Sequence, residues 1–218
     1  MCLILLAWRT STEHQLIVAA NRDEFHARPA APAAFWADRP EILAGRDLEA
    51  RGTWMGISRS GRFAAVTNFR GAREPRAAES RGALVTDFLE SRSTPEAYVA
   101  ALLPKSDSYG GFNLLASDGT ELWWTSNRDG TPRRLEPGIY GLANALLDSP
   151  DVEPRKRSFE EALATGAAVE PLFSVLAGAR ILDPVYGTRC SSVYFGRRYV
   201  ERSFGADGAE QDTLYYEL

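Results

Sequence analysis

The sequence predicts an α+β protein: two mainly antiparallel sheets with helices outside them, in one domain spanning residues 1–218. Three observations point there. Hydrophobic alternation and turn residues mark out strands, helices, strands, helices and strands, in that order. The connections between strands are hairpin-sized, which favours antiparallel pairing. No Pro/Gly/Ser-rich linker divides the 218 residues, a length that suits one large domain.

Residues 2–9 read as a buried strand and Leu16–Ala20 as its partner, with turn chemistry in Thr10-Ser11-Thr12-Glu13. The Ala- and Pro-rich stretch from Ala27 to Pro40 reads as an ordered loop. A hairpin follows, Thr53–Ser58 and Arg62–Asn68, turning at Ser60-Gly61. Arg70–Glu79 is a charged loop, and Leu84, Val85, Phe88 and Leu89 recur at helical spacing within Ser80–Ser91. Ser93-Thr94-Pro95-Glu96 is a helix start with Pro in the first turn, and that helix runs to Leu103. Phe112–Ala116 and Glu121–Ser126 form a hairpin around Ser117-Asp118-Gly119, and a strand from Gly138 ends at Ala143-Asn144. Helices are expected over Arg155–Thr165 and Val169–Ala177, then strands at Thr188–Phe195, Tyr199–Phe204 and Thr213–Glu217.

Composition excludes several classes. With 44% hydrophobic and 25% charged residues the chain can bury a core and is not disordered. A net charge of -4 argues against an electrostatic nucleic-acid binder. Two cysteines are too few for a secreted disulfide scaffold, so the cytoplasm is the expected compartment. No apolar run approaches the roughly 18 residues of a spanning helix, so a soluble protein is expected. The two histidines, His14 and His26, accompany no CxxC, HxxxH or CxxCH pattern, and no metal site is expected.

Two stretches could carry chemistry. Removal of Met1 would give Cys2 both a thiol and a free α-amine, a nucleophile with its own base. The α-amine, with a reference pKa of about 7.7–8.0, suits that task. The alternative for Cys2 is a small apolar residue opening a strand. Asn21-Arg22-Asp23-Glu24 comes off the partner strand and is either a solvated turn or part of the same site. The short hairpin would bring Asp23 near the Cys2 amine, where a carboxylate could orient it and tune its pKa. Arg22 could instead meet an anionic ligand group.

Further motifs carry a resemblance. Met1-Cys2, Ala19-Ala20-Asn21-Arg22-Asp23-Glu24-Phe25, Arg28-Pro29 and Gly52-Thr53-Trp54-Met55-Gly56-Ile57-Ser58 lead the series. Thr67-Asn68-Phe69, Gly111-Phe112-Asn113-Leu114, Tyr140–Leu146 and Tyr186-Gly187-Thr188-Arg189 complete it. Together they resemble the NRDE family of transport and Golgi organisation proteins across nearly the whole chain. That family in turn resembles the N-terminal-nucleophile hydrolases of the penicillin V acylase and bile-salt hydrolase type. The resemblance implies a four-layer αββα sandwich, with Cys2 as nucleophile and Asp23 beside its amine. It further implies Asn68 and Asn144 on the oxyanion side and Arg189 next to the nucleophile. One position departs from the acylases: Ala20 stands where they carry an Arg. Arg22, two residues on, keeps the strand face but displaces the side chain by roughly 6–7 Å.

Local readings stand beside these assignments. Asn113 reads as a turn former, Asn68 as either turn or site, and Arg189 as either an exposed edge cation or a site cation. Asn144 lies among apolar residues, so its amide needs a partner, and Cys190 reads as an inert core thiol. Ligand contacts are expected from Asn21, Arg22, Glu24 and Trp54. Two functions follow. One is a cysteine amidohydrolase for a small amide or acyl compound that needs no cofactor. The other is the role the family resemblance implies, a carrier of haem or of acyl-CoA or lipid, with Trp8, Phe25, Trp36 and Trp54 lining the pocket.

Overall fold

The structure, a computed structural model, describes residues 2–69, 77–164 and 166–218. Met1, Thr165 at the end of the expected third helix, and most of the charged loop from Arg70 lie outside the described residues. Contacts divide the chain into two compact units. One comprises residues 1–28, 137–143 and 147–218, and the other residues 29–136 and 144–146.

The first unit is built on a six-stranded sheet. Its strands are β1 (Leu3–Trp8), β2 (Leu16–Phe25), β10 (Gly138–Leu142), β11 (Tyr186–Phe195), β12 (Arg198–Phe204) and β13 (Glu210–Glu217), in the order β10-β1-β2-β11-β12-β13. Helices α3 (Glu153–Leu163) and α4 (Val169–Ala177) cover one face. Strand alternation decides what they cover. Leu3, Leu5 and Ala7, Ile17 and Ala19, and Val193 and Phe195 pack with Phe159, Leu172, Phe173 and Leu176. Cys2, Arg22 and Cys190 therefore fall on the face away from these helices.

The second unit carries seven strands in chain order. They are β3 (Ala30–Trp36), β4 (Arg39–Asp47), β5 (Met55–Ser58), β6 (Phe63–Asn68), β7 (Phe112–Ser117), β8 (Leu122–Ser126) and the short β9 (Arg133–Arg134). Helices α1 (Arg81–Glu90) and α2 (Pro95–Leu102) bury Leu84, Val85, Phe88, Leu89 and Leu102 against Ile42, Ala64, Val66, Phe112 and Leu114. Both helices start where the sequence places them. Ser80 accepts from the Gly82 N–H, and Thr94 accepts from Ala97 with Pro95 just inside. All pairings between these strands are antiparallel.

Three expectations change. Asn21-Arg22-Asp23-Glu24 is not a turn: β2 continues through it to Phe25 because β11 pairs along its length, Ser191 opposite Asn21 and Thr188 opposite Asp23. The Ala27–Pro40 stretch is not a loop but the turn out of β2 followed by β3, an edge strand whose register shifts between Ala31 and Ala34. Pro32 sits at that irregularity, where its missing N–H interrupts no ladder. Asn113 is no turn former, since it lies fully buried inside β7.

Candidate functional site

In the six-stranded unit the register Leu3 opposite Asn21 sets Cys2, one residue earlier, across from Arg22. The Cys2 nitrogen thus lies between the positions facing Arg22 and Asp23. The thiol itself touches main chain: Sγ donates to the Asp23 carbonyl oxygen at 3.6 Å. Tyr186 Oη donates to that same oxygen at 3.1 Å. Burial, and then the negative charge of Asp23, push the Cys2 thiol above its ordinary value. Cys190, two strands away across Arg22, is pushed up further by burial and by Glu201, which fits an inert thiol.

Asp23 is only 3% exposed. Its Oδ1 accepts a 2.6 Å hydrogen bond from Thr188 Oγ1, the residue directly opposite it in the sheet. Asn21 turns to the helix side, its Nδ2 donating to the Leu176 carbonyl at 3.0 Å and its Oδ1 accepting from Ser191 at 2.6 Å. Arg22, 5% exposed, faces the other way with Glu24, whose carboxylate stands 3.9 Å from both Arg22 and Arg28. The NRDE stretch thus splits by alternation. Arg22 and Glu24 share the Cys2 face, while Asn21 and Asp23 are anchored toward α4 and β11.

Arg189 occupies the register shift between Thr188 and Cys190. Its Nη1 donates to three carbonyls of the turn after β2: Phe25 at 3.1 Å, and His26 and Arg28 each at 3.2 Å. Burial and the neighbouring Arg22 charge pull its guanidinium below the usual arginine value. Arg189 therefore clamps the turn after β2 through Nη1.

The seven-stranded unit holds a second polar group. Asn144 Nδ2 donates to the Asn68 carbonyl at 2.7 Å, so Asn68 contributes its main chain to this contact while its side chain is exposed. Asn113 Nδ2 donates to Thr67 Oγ1 at 3.1 Å and to the Ala145 carbonyl at 2.9 Å. These two amides fix residues 144–146. Trp54 lies against Gly45 of β4, where a Cβ would come within 2.4 Å of its ring.

Within their own units, three of the four aromatics expected to line a pocket take other places. Trp36 belongs to the core beneath α1, Trp8 is buried six residues along β1 from Cys2, about 20 Å away, and Phe25 is 55% exposed. A groove of about 760 Å³ does exist in the seven-stranded unit, bordered by Arg39, Ile42, Arg62, Leu89 and Glu90. Arg39 pairs with Glu90 and Arg62 donates to the Phe88 and Ser93 carbonyls, and neither Cys2 nor Asp23 lines the groove. Among the described residues no three His, Cys, Asp or Glu side chains converge to hold a metal ion, and no helix is long and apolar enough to cross a membrane.

The sequence singled out Cys2 and Asp23 but gave no role to Thr188 or Tyr186. Both stood inside the Tyr186-Gly187-Thr188-Arg189 motif, and period-two alternation onto the Asp23 side was the available signal.

The architecture is that of the N-terminal-nucleophile hydrolases. Penicillin V acylase from Agrobacterium tumefaciens superposes with a TM-score of 0.60 at 12% identity, over 100% of this chain and 86% of that one. Conjugated bile acid hydrolase from Clostridium perfringens does so at 0.61 and 11%, over 100% and 97%. Within that fold the chain belongs to the Transport and Golgi organisation 2 family, whose model matches residues 1–185. The bovine Transport and Golgi organization protein 2 homolog is 38% identical over 223 residues, covering 92% of this chain and 79% of its own. The human homolog is 40% identical over 163 residues, covering 69% of this chain and 59% of its own.

Proposed function

We propose that the chain is a cysteine amidohydrolase acting on a small amide or acyl compound, with Cys2 as its nucleophile once Met1 is removed. One observation carries the reading: Cys2 stands directly before β1 with its thiol on the Asp23 main chain, and Asp23 carries a buried, anchored carboxylate, in the fold shared with penicillin V acylase and conjugated bile acid hydrolase. The bile acid hydrolase superposed here is itself a variant in which alanine replaces cysteine at position 2.

The steps follow from that geometry. The Cys2 amine, oriented by Asp23, takes the thiol proton as sulfur attacks the substrate carbonyl carbon. The same proton passes to the substrate nitrogen, the C–N bond breaks and the amine leaves. Water then attacks the thioester, releasing a carboxylic acid and restoring the thiol. Arg189 serves by holding the turn that ends the NRDE strand.

Intact mass establishes whether Met1 is removed. Hydrolysis of a panel of N-acyl amides is then compared between wild type, Cys2→Ser and Cys2→Ala. Losses of at least about 10³-fold are expected for both variants. Activity of Cys2→Ala equal to wild type overturns the proposal.

A second reading, a carrier of haem or acyl-CoA, draws support from the thiol itself. With Met1 in place it is raised above its ordinary value and donates to a carbonyl, the state of a poor nucleophile. Arg22 would then meet a ligand carboxylate or phosphate. Retained Met1 together with saturable micromolar binding in spectral and calorimetric titrations supports this reading. Absence of such binding removes it. We also propose the cytoplasm as its compartment, because both cysteines are free thiols. Cell fractionation tests that placement.

A further inference from the structure

We infer that Thr188 is a positioning residue for Asp23, locking the carboxylate in the one orientation that serves the Cys2 amine. The inference rests on the amidohydrolase reading above.

A threonine hydroxyl has one proton and can point it in several directions. Here the choice is made by the neighbouring main chain. The Ile181 N–H donates to Thr188 Oγ1 at 2.9 Å, so the hydroxyl proton is directed to Asp23 Oδ1, only 2.6 Å away. The Thr188 N–H returns to the Ile181 carbonyl at 3.0 Å, which closes the loop between them. That loop is braced internally, since Asp183 Oδ1 accepts from the Val185 and Tyr186 N–H groups at 2.9 and 3.0 Å. Asp23 thus meets an obligate donor mounted on a rigid support.

The β11 register serves the same end. The extra residue at Arg189 lets Thr188 sit opposite Asp23 while Cys190 sits opposite Arg22. Tyr186 adds a hold on the Asp23 carbonyl, so the residue is fixed at both main chain and side chain.

A double-mutant cycle tests this with 4-nitrophenyl acetate on the full chain prepared with Cys2 first. Cys2 sulfur forms the new C–S bond, 4-nitrophenolate leaves, and the thiol proton goes to the amine. Mass spectrometry locates the acetyl group and gives the rate. Thr188→Val is expected to slow acetylation about tenfold or more, and Thr188→Ser to restore most of the rate. In an Asp23→Ala background, already slow, Thr188→Val should cost less than about twofold further, because the two act through one carboxylate. A wild-type rate in Thr188→Val, or a full tenfold loss persisting without Asp23, overturns the inference alone. A wild-type rate in Asp23→Ala overturns the reading beneath it as well. Should the valine variant not fold, Thr188→Ala set against Thr188→Ser completes the same cycle.

Discussion

At the scale of single residues, the Asp23 charge works against ionisation of the Cys2 thiol. Burial acts most strongly to keep the thiol protonated and the Asp23 charge adds to it, while Arg22 opposes both more weakly. Alkylation of Cys2 by iodoacetamide, followed by mass against pH in the chain that keeps Met1, should therefore have a midpoint above the ordinary thiol value. Asp23→Asn removes the second cause but leaves the first. Its midpoint is expected below that of wild type and still above the ordinary value. Reaction speeds up at a given pH below the wild-type midpoint, because more thiolate is present there. Cys190, more deeply buried and raised further, supplies a slow internal reference in the same spectra. Identical midpoints in the two proteins would show that the Asp23 charge does not reach the thiol.

At the scale of elements, the β3–β4 hairpin shows what an edge needs. Asp38 in its turn grips Arg46 of β4 in a bidentate pair, 2.6 and 2.7 Å, and the guanidinium lies 4.3 Å over the Trp36 ring. The pair holds the exposed Asp38 carboxyl down to about 2. A lowered folded value means the contribution is fully present above the ordinary Asp pKa near 3.8 and is lost as pH falls through about 2. Asp38→Asn should lower Tm slightly at pH 7, by at most about 3 °C, and less in high salt. The gap to wild type should close between pH 4 and 2. A constant gap across that window would mean Asp38 acts through packing. This hairpin was also the hardest part of the fold to see in the sequence. Ser60-Gly61, Asp118-Gly119 and Thr94-Pro95 each declare a turn or a cap by local chemistry, and each is found in its place. β3 has no such signal: Ala and Pro are poor strand formers, and only pairing to β4 at a sheet edge makes the segment extended. The polar half of β2 was hidden for the same reason, since its partner β11 lies more than 160 residues later. The candidate site was legible to the same degree. Cys2 and Asp23 were visible by motif, whereas the Thr188 contact and the Arg189 clamp depend on that distant pairing.

At the scale of the whole molecule, the chain leaves the six-stranded unit after Arg28 and returns at Pro137, so the first and last segments must meet to complete one sheet. The family match ends at residue 185, directly before β11. The structure argues that residues 186–218 are nonetheless integral. β11 pairs β2 from Phe25 to Ile17, and Val193, Phe195 and Val200 belong to the core under α3 and α4. Loss of a buried Phe alone costs about 3–5 kcal/mol, set against a typical total of about 5–15 kcal/mol. Tyr186, Thr188 and Arg189, which hold Asp23 and the turn beyond it, depart with the same strand. A chain ending at Val185 is therefore expected to lose the cooperative urea transition of the six-stranded unit. Its amide protons in β1 and β2 should exchange near the rate of unfolded chain. A cooperative transition with protected β2 amides in that truncation would show instead that β11 is an addition to a sheet already stable without it.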